Sequence, residues 1–229
     1  MEASPLSARP WRHRRVWLAP DLGAAELAGL GDAADAQAVV DWARAGRPFI
    51  GRTTLPGDDP GRLPLGLALP PQPRKRRLSF TVAPAAVRLV SAPPALGDAL
   101  AHLPPRLREP AALLESRAFA LGLPVYVFGS AFWQQASGLD YLTEQSDLDL
   151  LACPPTAAAA RDWLQALAEV QADSATRLDG EIQLPDGAGV AWRELAAAPA
   201  QLLLKSDHGP ALRERAAVWA AWGTVSAPC

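Results

Sequence analysis

A chain of 229 residues with 49% hydrophobic and 20% charged side chains has the balance of a globular protein, enough for one large domain or two small ones. A formal charge of −2 gives no whole-chain basis for nucleic-acid binding, and the two cysteines, Cys153 and Cys229, make neither a disulfide framework nor a C-x-x-C zinc site. No apolar run approaches the roughly 18 residues of a membrane span and no secretory signal opens the chain, so a soluble protein of a reducing cytoplasm with no membrane partner is the expectation.

In chain order, residues 1–10 read as disordered, and Arg14 to Leu18 as a short strand stopped by Pro20. Asp35 is placed to cap a helix carrying Val39, Val40, Trp42 and Ala43, with Gly46 as its stop. Arg47 to Thr53 alternates as a strand, and Leu55 to Gly66 is too rich in Gly and Pro for regular structure. The basic run Arg74-Lys75-Arg76-Arg77 leads into an alternating strand, Leu78 to Val82. Pro93-Pro94 and Pro104-Pro105 punctuate the middle, with a short helix from Ala95 to His102 between them. There the spacing predicts a boundary between a smaller N-terminal α/β domain, residues 1–93, and a larger one, residues 94–229.

Glu109 to Leu121 is helical by pattern, Val125 to Phe128 is a buried strand, and a helix starts at Gly129-Ser130. Ser146 to Leu151 reads as a strand, Thr156 as the cap of a helix burying Trp163, Leu164, Leu167 and Val170. Thr176 to Leu184, the turn Asp186-Gly187, and Gly189 to Trp192 form a hairpin. Leu202 to Lys205 is a further strand, and Pro210 to Trp222 a terminal helix. His13, His102 and His208 are scattered without metal spacing.

Chemistry concentrates in the segment from Phe128 to Leu151. Asp147 and Asp149 fall two apart on one strand and so on one face, with Leu148 and Leu150 turned to the core. Paired carboxylates on a mostly buried strand repel, and a hard divalent cation such as Mg²⁺ relieves that cost. Gly129 lets backbone approach a ligand, the following helix start offers N–H groups to a phosphate, and Ser130 adds a hydroxyl. The bland alternative makes Asp147 a strand cap and Asp149 a surface residue. Trp133 and Tyr141 are candidates to stack on a base, although core packing is the favoured use of Trp133. Lys205, at a strand end, suits either a phosphate or solvent. Within the basic run alternation favours Arg76 as the inward, ligand-directed residue, with Lys75 and Arg77 solvated or facing a partner. A solvated strand start is the alternative.

Gly-Ser followed by Asp-x-Asp resembles the polymerase-beta-type nucleotidyltransferase superfamily, which adds a third carboxylate on a neighbouring strand. The motifs narrow the resemblance. Gly129-Ser130, Trp133-Gln134, Ser137-Gly138-Leu139, Tyr141-Leu142 and Ser146-Asp147-Leu148-Asp149-Leu150-Leu151 look like the phosphoribosyl-dephospho-CoA transferases, also called malonate decarboxylase holo-acyl-carrier-protein synthases. Similarity continues through Gly66 to Pro71, Lys75 to Arg77, Asp179-Gly180-Glu181 and Val190 to Glu194, and covers most of residues 10–215.

The resemblance implies an α/β (α+β) fold with a nucleotidyltransferase-type mixed sheet. It implies Asp147, Asp149 and a third acid as catalytic, Mg²⁺-holding residues, with Asp179 favoured over Glu181 because it follows an Arg-Leu pair. Gly129, Ser130, Arg76, Lys205 and Tyr141 would contact substrate. The implied reaction moves the prosthetic group of triphosphoribosyl-dephospho-CoA to a serine of the apo acyl carrier subunit of malonate decarboxylase, releasing diphosphate. Two rivals stay open: another nucleotidyltransferase that adenylates a small molecule or protein, and a non-catalytic module binding the carrier protein or RNA. Intact Gly129, Ser130, Asp147 and Asp149 weigh against a dead site, and the charge weighs against RNA.

Overall fold

A computed structural model describes residues 10–71, 76–143 and 145–223. The expected disorder of residues 1–10 falls almost wholly outside them, as do Arg74 and Lys75. The fold is mixed α/β in two compact units. The first comprises residues 1–93 with 136–140 and 207–209, and the second comprises 94–135, 141–206 and 210–229. Among the described residues, no helix is long and apolar enough to cross a membrane.

The first unit is built on a six-stranded antiparallel sheet. Its strands are β1 (Arg15–Leu18), β2 (Leu27–Ala28), β3 (Phe49–Gly51), β4 (Leu63–Ala68), β5 (Arg77–Val82) and β6 (Val87–Ser91), in the order β2-β5-β4-β3-β1-β6. Alternation sends Leu78 and Phe80 inward, and Phe80 meets Phe49 edge to face at 5.4 Å. Helix α1 (Ala33–Arg44) buries Val39, Val40, Trp42 and Ala43 as the periodicity predicts. Its cap is Asp32, not Asp35: the Asp32 carboxylate accepts the Asp35 N–H at 2.7 Å, so Asp35 already lies in the first turn.

Strand β4 begins inside the stretch expected to be irregular, Leu55 to Gly66, and runs past its end. Pro64 cannot donate to a ladder, yet its carbonyl accepts from the Trp11 indole at 2.7 Å and from the Arg52 N–H at 3.2 Å. The loop before β4 is held by charge. Arg52 grips Asp58 through two bonds of 2.6 and 2.9 Å, donates to the Leu65 and Phe80 carbonyls, and sits only 14% exposed beside an Asp58 that is 12% exposed.

The second unit carries the other six-stranded sheet, in the order β12-β11-β10-β9-β8-β7. Its strands are β7 (Val125–Val127), β8 (Leu148–Ala152), β9 (Leu178–Gln183), β10 (Gly189–Ala191), β11 (Gln201–Ser206) and β12 (Gly209–Glu214). Beside it are α2 (Leu96–Ala99), α3 (Pro105–Ala120), α4 (Gly129–Ser137), α5 (Ala157–Asp173), α6 (Trp192–Ala197) and α7 (Arg215–Ala220). Only β8 and β9 are paired in parallel among the registers described, and α5 makes the crossover such a pair requires. Thr156 caps α5 by accepting the Ala159 N–H at 3.1 Å, and Trp163, Leu167 and Val170 enter the core with Leu148, Leu150 and Ala152. Helix α3 starts earlier than its pattern suggests because Pro105 supplies a preset first turn. The expected terminal helix is corrected: Pro210 to Glu214 form β12, and only Arg215 onward is helical. An edge position tolerates a proline, and Gly209 opens the strand at φ +121° after the turn at Asp207 and His208.

The Arg52 guanidinium, chiefly through its hydrogen bonds, holds the Asp58 carboxyl below its ordinary pKa of 3.8. A depressed folded pKa gives stability that is full above the unfolded value and lost as pH falls through the folded one. Asp58→Asn should therefore cost about 2 kcal/mol near neutrality. In urea unfolding, that difference from wild type should shrink below about pH 4. A difference constant with pH would show that the ion pair is not its source.

Candidate active site

The site residues of the second unit gather around the start of β8. Leu148, Leu150 and Ala152 are at most 2% exposed and hold the strand to the core, which turns Asp149 to the opposite face. Parallel register sets Asp149 beside Asp179 and Leu151 beside Glu181. Asp147 precedes the strand rather than lying on it. It leaves a turn in which the Ser146 hydroxyl accepts the Thr143 N–H at 2.9 Å.

Arg106 ties the two approaches together. Its guanidinium donates to the Ser146 carbonyl at 2.8 Å and to the Thr176 hydroxyl at 3.3 Å. Pro110, inside α3, has no N–H to offer the carbonyl four residues back. That carbonyl, of Arg106, accepts the Thr176 hydroxyl at 3.0 Å instead. The residues immediately before Asp147 and before Arg177 are thus fixed to one helix.

Gly129 explains itself sterically. It opens α4 at φ +61°, and a Cβ there would lie 1.9 Å from Asp149 Oδ2. The Phe128 N–H also donates to the Asp149 carbonyl at 3.1 Å, which ties the residue before Gly129 to β8 backbone to backbone. Gly180 is the counterpart on β9, with φ +144° and the Leu150 carbonyl oxygen 2.0 Å from where a Cβ would stand. A glycine between two acids in a strand marks close backbone approach, and that signal was present in the sequence.

Charge is divided into two groups. Arg177 lies 3.8 Å from Asp147 and 3.5 Å from Asp179, with both carboxylates 38% exposed. Asp179 also accepts the Gly180 N–H at 2.8 Å. Glu181 is 5% exposed and bonds to Lys205 at 3.0 Å, which ties those two candidates to each other. Arg177 escaped the sequence reading, which used it only as half of the Arg-Leu pair before Asp179.

Two further expected contacts, Tyr141 and Arg76, have neighbours of their own. Tyr141 is 3% exposed and stacks on Trp133 at 6.1 Å, while its N–H donates to the Gln134 side chain. Arg76 belongs to the first unit, where it is 56% exposed and paired with Asp35. Arg77 is exposed while Leu78 is buried. Among the described residues, no three His, Cys, Asp or Glu side chains stand close enough to hold a metal ion as they are. Asp147 and Asp179 do share one cationic group, and Asp149 is in register with Asp179, so by chemistry the donor set, three carboxylates, is of the kind a hard oxygen-liganded cation takes.

Comparison with known proteins follows the same division of the chain. Residues 95–216 match the phosphoribosyl-dephospho-CoA transferase MdcG C-terminal domain, and residues 11–93 match the N-terminal domain of the same family. A phosphoribosyl-dephospho-CoA transferase of Xanthomonas axonopodis pv. citri is 35% identical over 92% of this chain and 97% of its own length. One from Bradyrhizobium diazoefficiens is 34% identical over 90% and 91%, and one from Pseudomonas aeruginosa 36% identical over 75% and 80%. No solved structure matches.

The two glycines should respond differently to alanine. At Gly129 the obstacle is a carboxylate that can rotate, so Gly129→Ala should cost about 1–2 kcal/mol, mainly backbone strain. At Gly180 the obstacle is the backbone of β8, so Gly180→Ala should cost roughly 3 kcal/mol or more. Urea unfolding of both variants checks the order, and a greater loss at Gly129 would contradict the geometry.

Proposed function

The chain belongs to the phosphoribosyl-dephospho-CoA transferase family, and from that premise we propose the following reaction. The protein transfers the phosphoribosyl-dephospho-CoA group of 2'-(5''-triphosphoribosyl)-3'-dephospho-CoA to a serine of the apo acyl carrier subunit of malonate decarboxylase. The serine oxygen forms a bond to the phosphorus next to the ribose, the bond to the two outer phosphates breaks, and diphosphate leaves. The serine proton is released as that bond forms.

The single observation that carries this reading is the lateral register of Asp149 and Asp179, with Gly129 closed against the Asp149 carboxylate. A phosphoryl transfer needs charge neutralised at the reacting phosphate and geometry held fixed, and little else. Asp147, Asp149 and Asp179 would hold Mg²⁺. Bound there, the ion would polarise the reacting phosphate and offset charge on the departing diphosphate. The donor's phosphates would meet the backbone N–H groups and the Ser130 hydroxyl at the start of α4. Asp179 is preferred to Glu181 as the third acid because Glu181 is buried and bonded to Lys205, whereas Asp179 is partly open beside Asp149.

Intact-mass measurement of the apo carrier tests the proposal. Incubated with this protein, Mg²⁺ and the donor, the carrier should gain the mass of one prosthetic group on one serine. Asp149→Asn should lower the rate by on the order of 10²-fold or more while the protein stays folded. Label taken from ATP, with none from the triphosphoribosyl donor, would make the chain an adenylating enzyme instead. Full transfer by Asp149→Asn or in excess chelator would refute the metal site.

A further inference from the structure

The geometry points to Arg177 as a built-in cation that competes with the metal for Asp147 and Asp179, and is passed to the donor's phosphates when the metal arrives. This rests on the metal-dependent reading above and extends it to a residue that reading does not use. Arg177 faces two of the three proposed ligands, Asp147 at 3.8 Å and Asp179 at 3.5 Å. Both distances exceed the roughly 2.7–2.9 Å of a charge-assisted hydrogen bond, so attraction rather than directed bonding holds the guanidinium there.

Its backbone and side chain differ in freedom. The Arg177 carbonyl accepts the Leu148 N–H at 3.0 Å, and the preceding Thr176 is 1% exposed and bonded to Arg106. The side chain is 61% exposed. A fixed anchor with an exposed charged end can change partners without disturbing the sheet.

Two cations of like sign cannot share two carboxylates at these distances without repulsion. A divalent ion therefore displaces the guanidinium, and the freed fork suits the phosphate oxygens that arrive with the donor. Before the donor binds, Arg177 keeps the carboxylates from repelling each other and holds metal affinity down. Arg177 is then a substrate-binding residue in the loaded state and a competitor in the empty one. These roles give effects of opposite sign on two readouts, whereas a merely structural arginine would lower both.

The test titrates Mn²⁺ into the full chain by electron paramagnetic resonance, with no donor present, for wild type, Arg177→Ala, Arg177→Lys and Asp149→Asn. Arg177→Ala should bind Mn²⁺ roughly three- to tenfold more tightly, the scale of an exposed ion pair shared by two acids. Arg177→Lys should stay near wild type because charge decides the competition. At saturating Mn²⁺, Arg177→Ala should nevertheless transfer more slowly. If Arg177→Ala fails to fold, Arg177→Gln carries the same comparison. Unchanged or weaker Mn²⁺ binding without the arginine, together with loss of binding in Asp149→Asn, would overturn the role of Arg177 and leave the metal site standing. Equal Mn²⁺ binding by wild type and Asp149→Asn would overturn both.

Discussion

Around β8 there is no room for a side chain at two places, and the site depends on that restriction. On one flank Gly129 lets the start of α4 close onto the Asp149 carboxylate, and on the other Gly180 lets β9 close onto the Leu150 carbonyl. With Leu148 and Leu150 seated in the core, β8 can neither shift register nor rotate. Asp149 is consequently held beside Asp179, and a slip of one residue in β9 would set Gly180 there instead. The parallel pairing exists only because α5 carries the chain back across the sheet, so the burial of Trp163 and Leu167 supports the placement of two carboxylates on the other face.

The electrostatic arrangement follows from depth. Glu181 is nearly sealed and has a close lysine partner, which suits a pair that stays together in a low-dielectric setting. Asp147 and Asp179 are partly open and face a guanidinium at longer range, which suits exchange of one cation for another. Arg106, by joining the turn before Asp147 to the residue before Arg177, makes the second group a unit. A proline in the middle of α3 contributes by freeing the carbonyl that Thr176 uses.

Periodicity and capping disclosed much of this frame from the sequence alone. The α5 cap and its buried face, the alternation of β5, and the strand-glycine-helix passage through Gly129 follow local rules that tertiary contacts reinforce. Where reading failed, a local rule met a non-local partner. Pro64 looked like a breaker because the donors to its carbonyl lie on Trp11 and Arg52. Pro210 looked like a helix start because nothing local announces an edge strand beside β11. Asp32 and Asp35 compete for one cap, and chain geometry chose the earlier one. Asp-x-Asp was visible as a motif, but Arg177 became visible only once the register between β8 and β9 was known. Tyr141 illustrates the same limit: an aromatic near a motif reads equally as a stacking surface or as core, and here its ring is covered by Trp133.

The central claim is that Asp147, Asp149 and Asp179 form one cation site under the Gly129 turn. A crystal structure of the protein with Mn²⁺ and inorganic diphosphate, recorded at a wavelength where manganese scatters anomalously, tests it most directly. The account predicts an anomalous peak within coordination distance of Asp149 and Asp179, with diphosphate oxygens toward Gly129 and Ser130. A protein that transfers the group in the same crystals or solution, yet binds manganese only away from these carboxylates, would contradict it.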